Sequence, residues 1–423
     1  MKVKETKGIT LIALVITIVV LLILAGVVIA TLNGNDNIIK NANTAVGKYN
    51  EKVNEEQGIL DTLEEKLREY TNGGSSNPTT PEEPGTPSTP PTVDSNGLAT
   101  KPTTIKPDKN SNLQIVIPTG FAPAILQTGT TQSLPGEDGS VKNKMPASQW
   151  NNITVDDINK GIVVVDADGN EFVWIPITDA SKFARTAWTT AYGYNAIGLW
   201  SFGSCTTPHQ LADKSTGERW WEDTSTTEYT NMVNSVTQNK GFYVARYEAS
   251  ANGDKAQSKR GATAWGSISQ TDAITKSANY NSALHSHLMY GIEWDSILNW
   301  LNGNAIISSS TSGQTKPMEL ADLQTNSCSW GNYRNSTGNA ATNSFLNKNT
   351  GTSEYWKANN IYDLAGNVEE WTQEKYSTGA HRASRGGNYS DLGGDSYPAA
   401  VRRGYDATSN TDSLTGFRTS FYL

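Results

Sequence analysis

Residues 161–177 read GIVVVDADGNEFVWIPI, two runs of Val, Ile, Phe and Trp on either side of the pair Asp168-Gly169. Branched and aromatic side chains suit a pleated, half-buried surface, and an Asp-Gly pair tolerates the positive φ of a tight turn, so the stretch predicts a β-hairpin. Further along, residues 241–250 read GFYVARYEAS, in which Phe242, Val244 and Arg246 alternate with Tyr243, Ala245 and Tyr247. That period of two predicts another strand. Residues 290–303, YGIEWDSILNWLNG, place Ile292, Ile297, Leu298 and Leu301 on one face and predict a helix. The remainder of residues 113–423 is rich in Trp, Gly, Asn and Ser with little regular period. This part of the chain therefore reads as an α+β head domain of short strands and long loops.

The 423 residues exceed the roughly 250–300 that one hydrophobic core organises, so the chain carries something besides the head. Charged residues make up 18%, below the usual ~25%, which leaves solvation to neutral hydrogen-bonding side chains, as on an exported surface. The net charge is -8 and no Lys/Arg run follows the first residues. A phosphate backbone would find no electrostatic footprint here, which argues against nucleic acid as a partner. Cys205 and Cys328 form no CxxC pair, which excludes a zinc ribbon, an iron–sulfur site and a disulfide-dense scaffold and leaves one disulfide open.

Lys2, Lys4 and Lys7 precede Gly8, and residues 9–32, ITLIALVITIVVLLILAGVVIATL, carry no charge. About 20 apolar residues span a bilayer, whereas the apolar region of a secretory signal is typically about 7–15 residues and ends at a cleavage site. Residues 9–32 thus read as a single-pass transmembrane helix, with the lysines cytoplasmic and the head extracellular. The junction resembles the type IV prepilin signal. That resemblance implies a leader over residues 1–8, cleavage between Gly8 and Ile9 by a prepilin peptidase, methylation of the new amino group, and the pilin assembly machinery as a further partner. Ala13 stands where the family carries Glu at the fifth mature position, which leaves entry into a filament open. Over residues 33–71, Val46, Val53, Leu60 and Leu67 fall seven apart beside Tyr49, Leu63 and Tyr70, the pattern of an amphipathic helical stalk, paired or solvated. Residues 72–112 hold half of the chain's 16 prolines and read as a Pro/Thr/Ser-rich, semi-rigid linker.

The ordered set FVWIP, GFYVARYEAS, YGIEWDSILNWL, NNIYDLAGNVEEWT (residues 359–372), RASRGGNYSD (382–391) and GFR (416–418) resembles the formylglycine-generating-enzyme, or sulfatase-modifying-factor, family, whose fold is a variant of the C-type lectin fold. The resemblance implies that Gly366, Gly386, Gly387 and Gly416 supply turns and close backbone approaches. It further implies that Trp371 and Phe417 fill the core and that Arg385 and Arg418 are tied to loop carbonyls or carboxylates. It points to Asn367, the Val368 carbonyl and Glu370 as calcium ligands, hard oxygen donors that suit that ion, with no cofactor required. The family's oxidases hold copper on two cysteines shortly before and within the C-terminal stretch, yet residues 385–423 contain no cysteine. Without soft thiolates that chemistry has no centre, so the head reads as non-catalytic. The related sulfoxide synthases hold nonhaem iron on a histidine motif that is not matched here. His285 and His287, with Glu293 nearby, read as structural, and neither His209 nor His381 supplies a hydrolytic triad.

Between Gly387 and Gly416 the chain uses short hydrogen-bonders and tyrosines, the residue palette of adaptable paratopes. It also resembles the variable proteins of diversity-generating retroelements, which use this fold and keep hypervariable positions near the C-terminus; this chain ends at Leu423, soon after Arg418. Tyr389, Tyr397 and Tyr405 read as ligand anchors and Asn388, Asp391 and Asp406 as orienting groups, with the loops around Trp220, Trp221 and Trp330 as the alternative surface. The expected protein is a membrane-anchored, pilin-like surface protein of Gram-positive type whose C-type-lectin-like head binds an extracellular protein or glycan, as in adhesion. Two alternatives stay open: an extracytoplasmic formylglycine-generating-type enzyme or accessory factor, and a structural pilus or pseudopilus subunit.

Overall fold

Twelve strands and three helices frame the head. In chain order they are β1 (Ala122–Leu126), β2 (Val141–Lys144), β3 (Val163–Val165), β4 (Glu171–Pro176), β5 (Trp220–Trp221), α1 (Thr227–Asn239), β6 (Gly241–Ala245), α2 (Gln270–Ala278), β7 (Ser286–Leu288), α3 (Gly291–Leu301), β8 (Glu369–Tyr376), β9 (His381–Arg385), β10 (Arg402–Asp406), β11 (Thr415–Phe417) and β12 (Thr419–Phe421). The computed structural model describes residues 90–108, 111–127, 138–188, 211–212, 220–308, 315–336, 346–376, 380–393, 397–407 and 413–423. The expected leader, transmembrane segment and stalk, residues 72–89 and 109–110 of the linker, Cys205 and His209 lie outside the described residues. Among those residues no helix is long and apolar enough to cross a membrane.

A seven-stranded antiparallel sheet runs β7-β12-β6-β4-β3-β1-β2. Successive side chains of a strand point to opposite faces, and here both faces are dry. Val173, Ile175, Phe242 and Val244 face a core shared with Met232 and Val236 of α1 and Ile297 and Leu298 of α3. Phe172, Trp174, Tyr243 and Ala245 face a second core with Ile115, Ile117, Trp150 and Phe421. The sequence period in β6 thus separates two cores rather than core from solvent. A mixed five-stranded sheet, β10-β9-β8-β11 with β5 on the far end of β8, carries the C-terminal stretch. A third core lies on it, where Trp371 and Phe417 meet Leu288 and Ala249. The domain is mixed α+β.

Three sequence expectations need correction. The 161–177 hairpin forms, with Val164 opposite Phe172, but its turn is organised by Asp166 rather than by Asp168-Gly169 alone: Asp166 Oδ1 accepts the Asp168 and Asn170 N–H groups. The linker does not reach residue 112. Leu98, Ala99 and Ile105 are buried in the second core, and Thr103–Ile105 pairs with Ile115–Ile117, so the head takes in these residues. Pro102 precedes that strand, a position where a missing N–H costs no ladder bond. Helix α3 has no single apolar face, because Asn299 alone of its eleven residues is exposed. Glu293, Asp295 and Ser296 are therefore buried with it, and each needs a partner.

Candidate functional site

The register of the smaller sheet gathers charge. Glu370 lies opposite Arg385 on one side and Gly416 on the other, and Arg385 lies opposite Arg402. Arg385, Arg402, Arg403 and Arg418 are all buried, which is tolerable only if every guanidinium is paired. Three ion networks do this.

Arg418 makes a bidentate pair with Glu370, Nε at 3.1 and 3.0 Å and Nη2 at 2.6 Å from its oxygens, and donates also to the Ala245 and Tyr362 carbonyls at 3.0 and 2.8 Å. Beside it Glu248 accepts the Val368 N–H at 2.9 Å and the Asn367 carboxamide. The Asn367 Oδ1 accepts from Asn332 Nδ2 and from the Lys348 N–H. Of the groups expected to hold calcium, Asn367, the Val368 carbonyl and Glu370, both Glu370 oxygens are held by Arg418 and the Asn367 oxygen by two donors, so these two side chains serve the frame. Among the described residues no cluster of His, Cys, Asp and Glu has the arrangement of a metal site.

The second network centres on Glu374. Its oxygens take Arg402 Nε, each at 2.9 Å, and Arg185, with Arg385 Nη1 at 3.6 Å. Asp295 of α3 closes it, accepting Arg385 and Trp188 Nε1 on one oxygen and Arg402 and the Thr186 N–H on the other. Burial alone would raise the Glu374 pKa, but Arg402, Arg185 and Arg385 hold it down to about 2. Among the described residues, Glu222 has Arg185 as its one charged partner, at 3.6 Å, and accepts the first N–H groups of α3. Burial pushes its pKa up to about 8.

In the third network Arg403 pairs with Glu369 and Asp391, at 2.9 and 2.8 Å, and lies between two rings, 4.4 Å from the centroid of Tyr397 and 5.2 Å from that of Tyr405. This corrects two of the six expected ligand residues, Asn388 and Asp391. Asn388 is 1% exposed and its Oδ1 accepts the Ser390 N–H; Asp391 accepts the Asn388 N–H as well as Arg403. Both staple their own loop. Tyr397 and Tyr405 are half-buried and brace Arg403. Tyr389, pinned through its N–H to the Asn367 carbonyl, and Asp406, at the end of β10, are half-buried on the rim. On the alternative surface, the loops around Trp220, Trp221 and Trp330, the three indoles themselves are buried.

The remaining residues singled out by sequence are framework. Trp371 is fully buried and donates Nε1–H to the Ile268 carbonyl. Gly366 and Gly387 have φ of +76° and +69°, and a Cβ would stand 2.3 Å from the Asn332 oxygen or 2.5 Å from the Tyr397 oxygen, so no other residue fits. Gly386 lies between them, and Gly416 lets β11 approach Val368. His287 Nδ1 is 2.8 Å from the His285 carbonyl and Nε2 is 3.0 Å from Glu293. Burial disfavours the imidazolium, but Glu293 outweighs it and raises the His287 pKa. Ser420 Oγ lies 2.6 Å from Glu293, not against the imidazole, so the trio does not activate a nucleophile.

Several carboxyls here are held towards their neutral forms, chiefly by burial: Asp363 up to about 6, Glu369 to about 7 and Glu222 to about 8. Each keeps a proton in the folded state over a range where the unfolded chain has released it, so stability falls as pH rises from about 5 to 8. The urea midpoint of the full chain is therefore expected to be higher at pH 5 than at pH 8, and an equal or lower value at pH 5 would refute this.

No protein family profile matches the chain, and no curated protein matches it. Among solved structures it is similar to CarF, with 16% identity and a TM-score of 0.28 over 44% of this chain and 87% of that one. It is also similar to Treponema denticola variable protein 1, with 12% identity and a TM-score of 0.22 over 76% of this chain and 99% of that one. Both likenesses are distant.

Proposed function

We propose that the head is a non-catalytic ligand-recognition domain whose binding surface is the rim formed by Tyr389, Ser390, Leu392, Tyr397, Tyr405 and Asp406. One observation carries this reading: half-buried side chains on that rim stand on fixed backbone, Tyr405 and Asp406 on β10, which pairs with β9, and the others on a loop held from beneath. The Tyr389 N–H is held by Asn367, the Asn388 N–H by Asp391, and Asp391 in turn by Arg403. A pre-organised rim loses little freedom on binding, and Tyr adds contact area at low entropic cost. The ion pairs beneath, Arg403 with Glu369 and Asp391, are made by residues outside the rim, so rim residues can vary while those pairs are kept. Resequencing the 3′ end of the gene in many isolates is expected to find substitutions concentrated at these rim codons and absent from Arg385, Arg402, Arg403 and Arg418. An even spread would overturn the proposal, as would aldehyde formation on a sulfatase-type cysteine peptide incubated with the full chain, copper and oxygen.

Residues 9–32 are proposed to anchor the head outside the cell membrane after prepilin-type cleavage. Peptide mass spectrometry of membranes is expected to find a mature N-terminus at Ile9. Replacing Gly8 with a bulky residue should block processing yet keep the chain in the membrane, because the apolar run is untouched. An intact leader in cells with active prepilin peptidase would count against it.

A further inference from the structure

A cavity lies between α3, the end of β4 and the residues that follow it. Its volume is about 190 Å³, and Pro176, Ile177, Ser296, Asn299, Trp300 and Asn304 contribute to its walls. One water centre needs only about 10–15 Å³, while pockets for drug-sized ligands run to about 300–1,000 Å³. The space suits a molecule of one ring.

Its chemistry is mixed. Ser296, 2% exposed, lines it, and its Oγ has no hydrogen-bond partner among the described residues. A serine in mid-helix can bond back to the carbonyl four residues earlier, and this one does not. A buried hydroxyl left unpaired costs free energy that an occupant could recover. Nearer the opening, Asn299 gives its Nδ2 to Thr186 and Asn304 its Nδ2 to the Trp300 carbonyl, at 2.8 Å each, and both carboxamide oxygens are left as acceptors. Trp300 spends its indole N–H on the Asn159 carbonyl and so offers ring surface alone, beside Ile177 and Pro176. The single charge among the lining residues is Lys182, which is exposed.

An apolar wall, a buried hydroxyl and outer carboxamide acceptors match a ligand with a C–H face and a hydroxylated edge. We propose that this cavity binds a neutral, monosaccharide-sized polyol, independently of the rim. The test is saturation-transfer NMR on the full chain in detergent, with glucose, galactose, mannose and N-acetylglucosamine as neutral probes and glucuronate and inorganic phosphate as charged ones. At least one neutral sugar is expected to bind with a millimolar Kd, and Ser296→Ala is expected to raise that Kd at least tenfold without lowering Tm. Asn304→Ala, at an exposed position, should weaken binding severalfold and carries the test if Ser296→Ala does not fold. Binding by no neutral sugar, binding by the charged probes alone, or an unchanged Kd in the folded variants would overturn the proposal.

Discussion

Replacing Glu374 with Gln is expected to cost about 3–5 kcal/mol, the range for removing one partner of a buried ion network, and so to take a large share of the roughly 5–15 kcal/mol that holds a domain folded. Glu374 faces Arg185, Arg385 and Arg402 at once, and the last two are fully buried. With Glu374 neutral, Asp295 is the remaining carboxylate that pairs directly with Arg385 and Arg402. Gln keeps the shape and some hydrogen bonds but not the charge. The acid limb gives a second readout. Because the folded pKa of about 2 lies below the ordinary 4.5, the contribution of Glu374 is complete above about pH 4.5 and is lost as pH falls towards 2. Urea titrations of the full chain at pH 7 and pH 3 should show a large gap between wild type and variant at the first pH and a smaller one at the second. A pH 7 midpoint within error of wild type would show that the network is not holding the sheet.

What the sequence made legible was whatever depends on local pattern. The 161–177 hairpin followed from two β-rich runs, and Trp371 and Phe417 were assigned to the core, where they are fully buried. That both faces of β6 are dry was hidden, because Phe242 and Tyr243 look equally apolar whether the second face meets solvent or another core. The prolines at 102 and 107 suggested a spacer, yet Ile105 between them is buried, since a proline beside a short strand does not prevent pairing. Asn388 and Asp391 were misassigned for a chemical reason: the side chain that can orient a ligand can equally close its own loop, and sequence does not say which. Arg185, Asp295, Glu374 and Arg402 were missed altogether. They are remote in sequence: the register of β9 against β8 and β10 gathers Glu374 and Arg402, while α3 brings Asp295 and the segment after β4 brings Arg185.

Arg418→Met is expected to destabilise the head by about 3–5 kcal/mol, and adding Glu370→Leu should restore part of that loss rather than add to it. Breaking a buried pair leaves a lone charge in a dry site, whereas replacing both partners with apolar groups removes the desolvation cost along with the attraction. Here the lone charge would be severe, because Glu370 is buried beside Glu248 and Asp363, whose carboxyls are themselves pushed up by burial. Recovery should stop short of wild type for a second reason. Arg418 also donates to the Ala245 and Tyr362 carbonyls, and Met leaves both without that donor, at about 1 kcal/mol or more each. The pH dependence separates the two variants. Burial already raises the Glu370 pKa and Arg418 pulls it back, so the single variant should raise it further and lose stability more steeply than wild type as pH rises from 5 to 8. The double variant has no carboxyl at that position and should lose the added slope. Equal stability of the single and double variants at pH 8 would mean that Arg418 acts through the two carbonyls alone, and that the Glu370 pair contributes nothing to the frame beneath the rim.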